Sequence, residues 1–121
     1  MPKTTICKTF KFDAAHRLPR VDEGHKCGNL HGHTFAIEVH LEGEIDGTKG
    51  WLLDFNELCA AVEPEIDRLD HAVLNEVEGL ENPTSENLAA WFWDRLAGRL
   101  PQLSLIVVRE SPSSACFYDG R

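Results

Sequence analysis

The sequence predicts an α+β fold: an antiparallel sheet carrying helices on one face. Three observations carry that expectation. Two stretches near the N-terminus alternate apolar and polar residues, two central stretches carry a helical apolar stripe behind capping signals, and two short β-rich stretches close the chain. In order these read ββααββ, arranged as a single domain over residues 1–121.

Residues 4–16, TTICKTFKFDAAH, form the first strand, with Ile6, Phe10 and Phe12 on one face and His16 on the same parity. Residues 31–42, HGHTFAIEVHLE, alternate more strongly. His31, His33, Phe35, Ile37, Val39 and Leu41 point one way, and Thr34, Glu38, His40 and Glu42 the other. The polar stretch between them, RLPRVDEGHKCGN, is long for a hairpin, which suggests a functional loop. After IDGTKG, Asp54 is a candidate N-cap with Glu57 three residues on. Phe55, Leu58, Cys59, Val62, Ile66 and Leu69 then make a helical stripe, which Pro64 is expected to kink or divide. NPTSEN starts a second helix, with Leu88, Trp91, Phe92, Leu96 and Leu100 on its apolar face. Residues 103–110 and 115–118, either side of the breaker SPSS, are the last strands.

Composition is that of an ordinary globular protein, 42% apolar and 26% charged. No segment approaches the ~20 apolar residues of a membrane span, and the start lacks a signal-peptide core, so a cytoplasmic protein without a membrane partner is expected. Cys7, Cys27, Cys59 and Cys116 are scattered, which favours reduced thiols over a disulfide framework. The formal charge of −8 argues against nucleic acid. That charge is uneven. Residues 1–26 carry six Lys or Arg against three acids, a balance of +3, suited to a small polyanion or simply to solvent.

The chemistry concentrates in CGNLHGH, residues 27–33. An H-x-H pair on a strand puts two imidazoles on one face, about 6.5 Å apart along the chain. His16 ends the first strand on the matching parity, so a hairpin brings a third imidazole alongside. Three neutral imidazoles suit Zn²⁺ and leave one coordination position open. Two readings of Cys27 follow. It completes a closed Cys-His₃ structural site with His16, His31 and His33, or it stays off the metal as a general base aimed at a bound substrate. A cupin-like run of His31, His33 and Glu38 is excluded, because Glu38 has the opposite parity and two helices do not fit a jelly roll. His25 and His40 gain no comparable support, and His40 reads as surface or packing.

FDAAHRLP, GHKCGNLHGHTF, DFNEL, LDHAVLN, ENPTSENLA and VRES follow in this order across nearly the whole chain. Together they resemble the 6-pyruvoyltetrahydropterin synthase family, and within it the queuosine-pathway branch that makes 6-carboxytetrahydropterin. The resemblance implies a tunnelling fold (T-fold): ββααββ monomers join into a trimeric barrel, and two trimers stack into a homohexamer. Such closure would also answer the open edges of a lone four-stranded sheet. The resemblance implies Zn²⁺ on His16, His31 and His33, Cys27 as the catalytic thiol, and Asp70 with His71 as acid–base partners. It assigns Glu110 to the pterin ring and to the relay, with Thr84 and Ser85 as further pterin contacts. The implied reaction turns 7,8-dihydroneopterin triphosphate and water into 6-carboxy-5,6,7,8-tetrahydropterin, acetaldehyde and triphosphate. The short C-x₃-H-G-H spacing sets the chain apart from the pyruvoyl-forming members, whose usual gap is longer.

The residues themselves qualify these roles. Glu110 shares parity with Ile106 and Val108, an acid on an apolar strand face that suits a guanidine-like ring edge or a strand-end charge. Asp70 and His71 are adjacent, and neighbours on a helix do not face each other, so a relay requires the helix to end there or another subunit to help. Thr84 or Ser85 also suits the N-cap of the second helix.

Overall fold

The computed structural model describes residues 2–121. Strand β1 (Lys3–His16) and strand β2 (His31–Glu44) pair antiparallel along their full length, from Lys3 opposite Glu44 to His16 opposite His31. After the helices, β3 (Leu103–Ser111) and β4 (Ser114–Tyr118) complete one antiparallel sheet in the order β1-β2-β3-β4. The ββααββ expectation is met. Helix α1 (Phe55–Leu69) and helix α2 (Ser85–Leu96) lie between β2 and β3 in the chain. None of the helices is long and apolar enough to cross a membrane, among the described residues.

Alternation of side chains along β2 dictates the core. Phe35, Ile37, Val39 and Leu41 are fully buried with Phe10 and Phe12 of β1, Ile106 and Val108 of β3, and the inner faces of both helices. Phe12 and Phe35 stack with ring centroids 5.1 Å apart, and Phe92 of α2 closes over Phe12 at 6.3 Å. Every residue expected on the apolar face of the second helix is buried: Leu88, Trp91, Phe92, Leu96 and Leu100. The helices also share a polar tie. Glu65 of α1 is buried and accepts from Arg95 of α2, whose guanidinium lies 4.9 Å from the Trp91 ring centroid. A carboxylate taken out of water requires such a partner.

Helix α1 differs from its sequence pattern in two places. Pro64 does not divide it, and one helix runs from Phe55 to Leu69. Pro64 lies on the exposed side with Ala60, the residue four before it, so water can satisfy the carbonyl that proline leaves without a donor. Phe55, assigned to the buried stripe, is 47% exposed, and Ala61 and Glu65 take up the buried face instead. Phe55 is the first residue of the helix, in its exposed first turn. The caps fall as expected: Asp54 accepts from the Asn56 N–H, and Thr84 from the Asn87 N–H.

The Phe12–Phe35 stack also abuts two imidazoles, His16 and His33, each with its ring centroid 5.5 Å from that of Phe35. Phe35→Ala is therefore expected to cost about 3–5 kcal/mol in urea unfolding, as for other buried Phe→Ala changes. Phe55→Ala should cost under ~0.5 kcal/mol by the same measurement. Equal costs would mean that the stack is no centre of the core.

Candidate metal centre and its surroundings

The β1–β2 register brings three imidazoles together. His16 and His31 are direct cross-strand partners, and His33 follows two residues along β2. Ring centroids lie 4.7 Å apart for His16–His31, 5.2 Å for His16–His33 and 4.9 Å for His31–His33. A ligand atom of each lies within 4.8 Å of the others. Among the described residues the group holds the three imidazoles alone, and Cys27 is not a member of it.

The hydrogen bonds show which ring nitrogen each histidine offers. His16 Nδ1 is 2.9 Å from the Pro83 carbonyl, and His31 Nδ1 is 2.7 Å from the Asn29 carbonyl. Carbonyl oxygens only accept, so both Nδ1 atoms carry the proton and both Nε2 atoms present a lone pair in the neutral ring. Burial lowers the His16 pKa from its ordinary value, an effect partly offset by the Pro83 hydrogen bond, and the ring is neutral. Its Nε2 is buried without any hydrogen-bond partner. An orphaned, deprotonated nitrogen facing two more imidazoles is the arrangement a divalent transition metal satisfies, with the tautomer fixed by an outer carbonyl. The donor set fits a metal.

Around this centre the other expected residues take separate positions. Glu110 on β3 reaches to 4.0 Å from His33 Nε2. The β3–β4 register shifts between Val108 and Ser111, and such an irregularity re-aims the side chains within it. Glu110 lines a cavity of about 210 Å³ with Ser85, Glu86, Val108 and Cys116. Ser85 thus shares a cavity with Glu110, whereas the Thr84 hydroxyl serves as the α2 cap. His33 also lines a second, open cavity of about 520 Å³, which His71 lines too.

Helix α1 ends at Leu69 with Asp70 as its C-cap, so the geometric objection to an Asp70–His71 pair disappears. His71 turns to φ 60°, the left-handed region that non-glycine residues enter at a cost of about 1–2 kcal/mol. There His71 Nδ1 lies 3.1 Å from Asp70 Oδ1. The turn is clamped to the edge of β1. The His71 N–H donates to the Asp13 carbonyl (2.6 Å), the Asp13 N–H donates to Asp70 Oδ1 (3.0 Å), and the Ala15 N–H donates to the Ala72 carbonyl (3.0 Å). The Asp13 hydrogen bond, and after it the His71 contact, holds the Asp70 carboxyl below the usual aspartate range. Asn75 of LDHAVLN brackets Arg17, accepting from its N–H at 3.0 Å and donating to its carbonyl at 2.8 Å. This secures the backbone immediately after His16.

Cys27 sits in a 3₁₀ turn, Lys26–Gly28, half-buried in the β1–β2 loop. Its N–H donates to His25 Nδ1 at 3.0 Å, and its carbonyl accepts from the Leu18 N–H at 2.8 Å. His25, given no role from sequence, is the N-cap of this turn. Its place two residues before Cys27 was the available signal. The Pro83 and Asn29 carbonyls had none, because every residue carries such a group.

Comparison with known proteins identifies the family of the chain. The family profile described as 6-pyruvoyl tetrahydropterin synthase matches residues 5–121. A Synechocystis protein named 6-carboxy-5,6,7,8-tetrahydropterin synthase is 42% identical over 120 residues, spanning 93% of this chain and 91% of that protein. A Pyrococcus furiosus protein named dihydroneopterin monophosphate aldolase is 41% identical over 99 residues, spanning 82% and 80%. The solved structure of Caenorhabditis elegans 6-pyruvoyl tetrahydropterin synthase has a TM-score of 0.93 at 30% identity, covering 100% of this chain and 98% of its own.

His31→Ala leaves two imidazoles, which hold a divalent ion poorly. The expected result, by elemental analysis of the purified variant, is the loss of about one transition-metal ion per chain relative to the parent. Unchanged metal content would remove His31 from the donor set.

Proposed function

Because the chain belongs to the 6-pyruvoyl tetrahydropterin synthase family, we propose that it is a zinc-dependent 6-carboxytetrahydropterin synthase, a cytoplasmic carbon–carbon lyase of queuosine biosynthesis. Its substrate would be 7,8-dihydroneopterin triphosphate, taken with water to 6-carboxy-5,6,7,8-tetrahydropterin, acetaldehyde and triphosphate. The observation that carries this reading is the orphaned Nε2 of His16 among three converging imidazoles, with Glu110 at their border and His71 across an adjoining cavity. The Synechocystis relative supports the product assignment through its name.

His16, His31 and His33 would hold the ion, which when bound would supply Lewis acidity toward the hydroxyl oxygens of the substrate side chain. Glu110, projecting from β3, accepts two N–H groups from the guanidine-like edge of the pterin, which fixes the ring. Ser85 contacts the same ring from the start of α2, with Thr84 beside it. The Cys27 thiolate removes a carbon-bound proton from the side chain, and His71 carries protons to and from its oxygens. Asp70 holds His71 Nδ1, which leaves the outer nitrogen for transfer. His71 is 78% exposed, so its substrate-side neighbours are expected from a second subunit. A homohexamer of two stacked trimers supplies them, and the unpartnered edges of β4 and the first half of β1 favour it.

A product assay tests the reaction. Incubation with 7,8-dihydroneopterin triphosphate should yield acetaldehyde and a 6-carboxypterin in equal amounts. A pyruvoyl product without acetaldehyde would assign the chain to the other branch of the family. A phosphorylated two-carbon aldehyde with a hydroxymethyl pterin would indicate retro-aldol cleavage instead.

Cys27→Ala tests the thiol separately. It should fold and keep the ion of the three-histidine centre while losing about 10²–10⁴-fold in turnover, the contribution of a positioned base. Loss of that ion in step with activity would make the sulfur a ligand and overturn its role as base.

A further inference from the structure

A second group of metal-type donors lies on the opposite face of the same sheet. Cys7 of β1 and His40 of β2 are direct cross-strand partners, and Glu38 follows two residues before His40 on the same face. Their parity is opposite to that of His16, His31 and His33, so the sheet separates the two groups. Cys7 Sγ lies 3.4 Å from His40 Nε2, and Glu38 Oε1 lies 3.0 Å from the same nitrogen. One ligand atom from each residue falls within 4.8 Å of the other two.

The surroundings order these donors. Arg109 of β3 donates to Glu38 Oε2 at 3.0 Å, which occupies one carboxylate oxygen and leaves Oε1 directed at the cluster. That is the pattern of an outer partner orienting a ligating carboxylate. The hydrogen bond from His40, with Arg109 as a further cause, keeps the Glu38 carboxyl below its ordinary range, so it is anionic at neutral pH. Burial, and then the Glu38 charge, push the Cys7 thiol up, so it carries a proton in the metal-free protein. Thiol, imidazole and carboxylate therefore crowd around one or two protons that a divalent ion would replace. Cys7 is exposed, which gives an ion a route in from solvent.

We infer that Cys7, Glu38 and His40 form a second binding site for a thiophilic divalent ion of the Zn²⁺ or Co²⁺ class, distinct from the three-histidine centre. One thiolate, one imidazole and one carboxylate are borderline-soft donors that suit Zn²⁺ and exclude Mg²⁺ or Ca²⁺, and three protein ligands leave a position for water. Binding releases the Cys7 proton to solvent, and the His40 ring changes tautomer, its proton passing to Nδ1 through solvent so that Nε2 is free to ligate. The ladder fixes the spacing in advance, so little ordering opposes the ion.

The test uses the full chain, stripped by chelation under reducing conditions and titrated with Zn²⁺. The parent should take up about two ions per chain, and Cys7→Ser and His40→Ala about one each. His31→Ala should also retain about one, at the other centre. With Co²⁺ the parent should show sulfur-to-cobalt charge-transfer absorption that Cys7→Ser loses and Cys27→Ala keeps. In the unmodified parent, Zn²⁺ should slow alkylation of Cys7 by roughly tenfold or more, because a coordinated sulfur is a poorer nucleophile. Equal uptake by parent and Cys7→Ser would overturn the site. So would alkylation indifferent to Zn²⁺, or a charge-transfer band that disappears in Cys27→Ala and persists in Cys7→Ser.

Discussion

Both donor groups rest on the register of the β1–β2 ladder. With His16 opposite His31, three imidazoles share one face with the phenylalanine core; with Cys7 opposite His40, a thiol and an imidazole share the other. The period of a strand is two, so a slip of one residue would send His16 to the far face and Phe10 and Phe12 to solvent. The hydrophobic effect therefore sets the position of the imidazoles. Phe10, Phe12, Phe35, Ile37, Val39 and Leu41 admit one register, and the polar donors follow from it.

The second organising constraint is the end of α1. A longer helix would carry Asp70 and His71 apart around its axis. Termination at Leu69 lets the chain turn sharply at His71 and run along β1, where residues 71–73 pair with backbone groups of Asp13 and Ala15. The backbone strain at His71 is offset by these hydrogen bonds, and they position its side chain. The segment thereby covers part of the β1 edge next to the cavity shared by His33 and His71.

Much of this was legible in the sequence, because strand alternation is a direct readout of burial. It placed His16, His31 and His33 on one face and Glu110 among apolar neighbours, and the capping residues located both helix starts. What it missed depended on groups or pairings that sequence does not distinguish. The carbonyls of Pro83 and Asn29 select the tautomers of His16 and His31, yet any residue offers a carbonyl. His25 caps the Cys27 turn through its ring, a less common choice than Ser or Asp. Phe55 fits the helical period but is exposed in the first turn of α1. His40, on the face opposite the core as its parity predicts, meets Cys7 from 33 residues away, a neighbour that emerges only once the register is known.

The hairpin also has a consequence for the order of assembly. All three imidazoles belong to β1 and β2, so the complete donor set exists as soon as Glu44 leaves the ribosome, before either helix has been made. The β2–β3 pairing must wait for the whole helical segment up to Leu103, and closure of that long connection is the entropically slower event. An ion captured at this stage would act as a clip across the loop between His16 and His31, holding the nascent ladder in register. The Pro83 carbonyl that fixes the His16 proton arrives only with the start of α2. It follows that the three donors precede in the chain every helix that later covers them, and that the buried, tautomer-fixed form of His16 waits for α2.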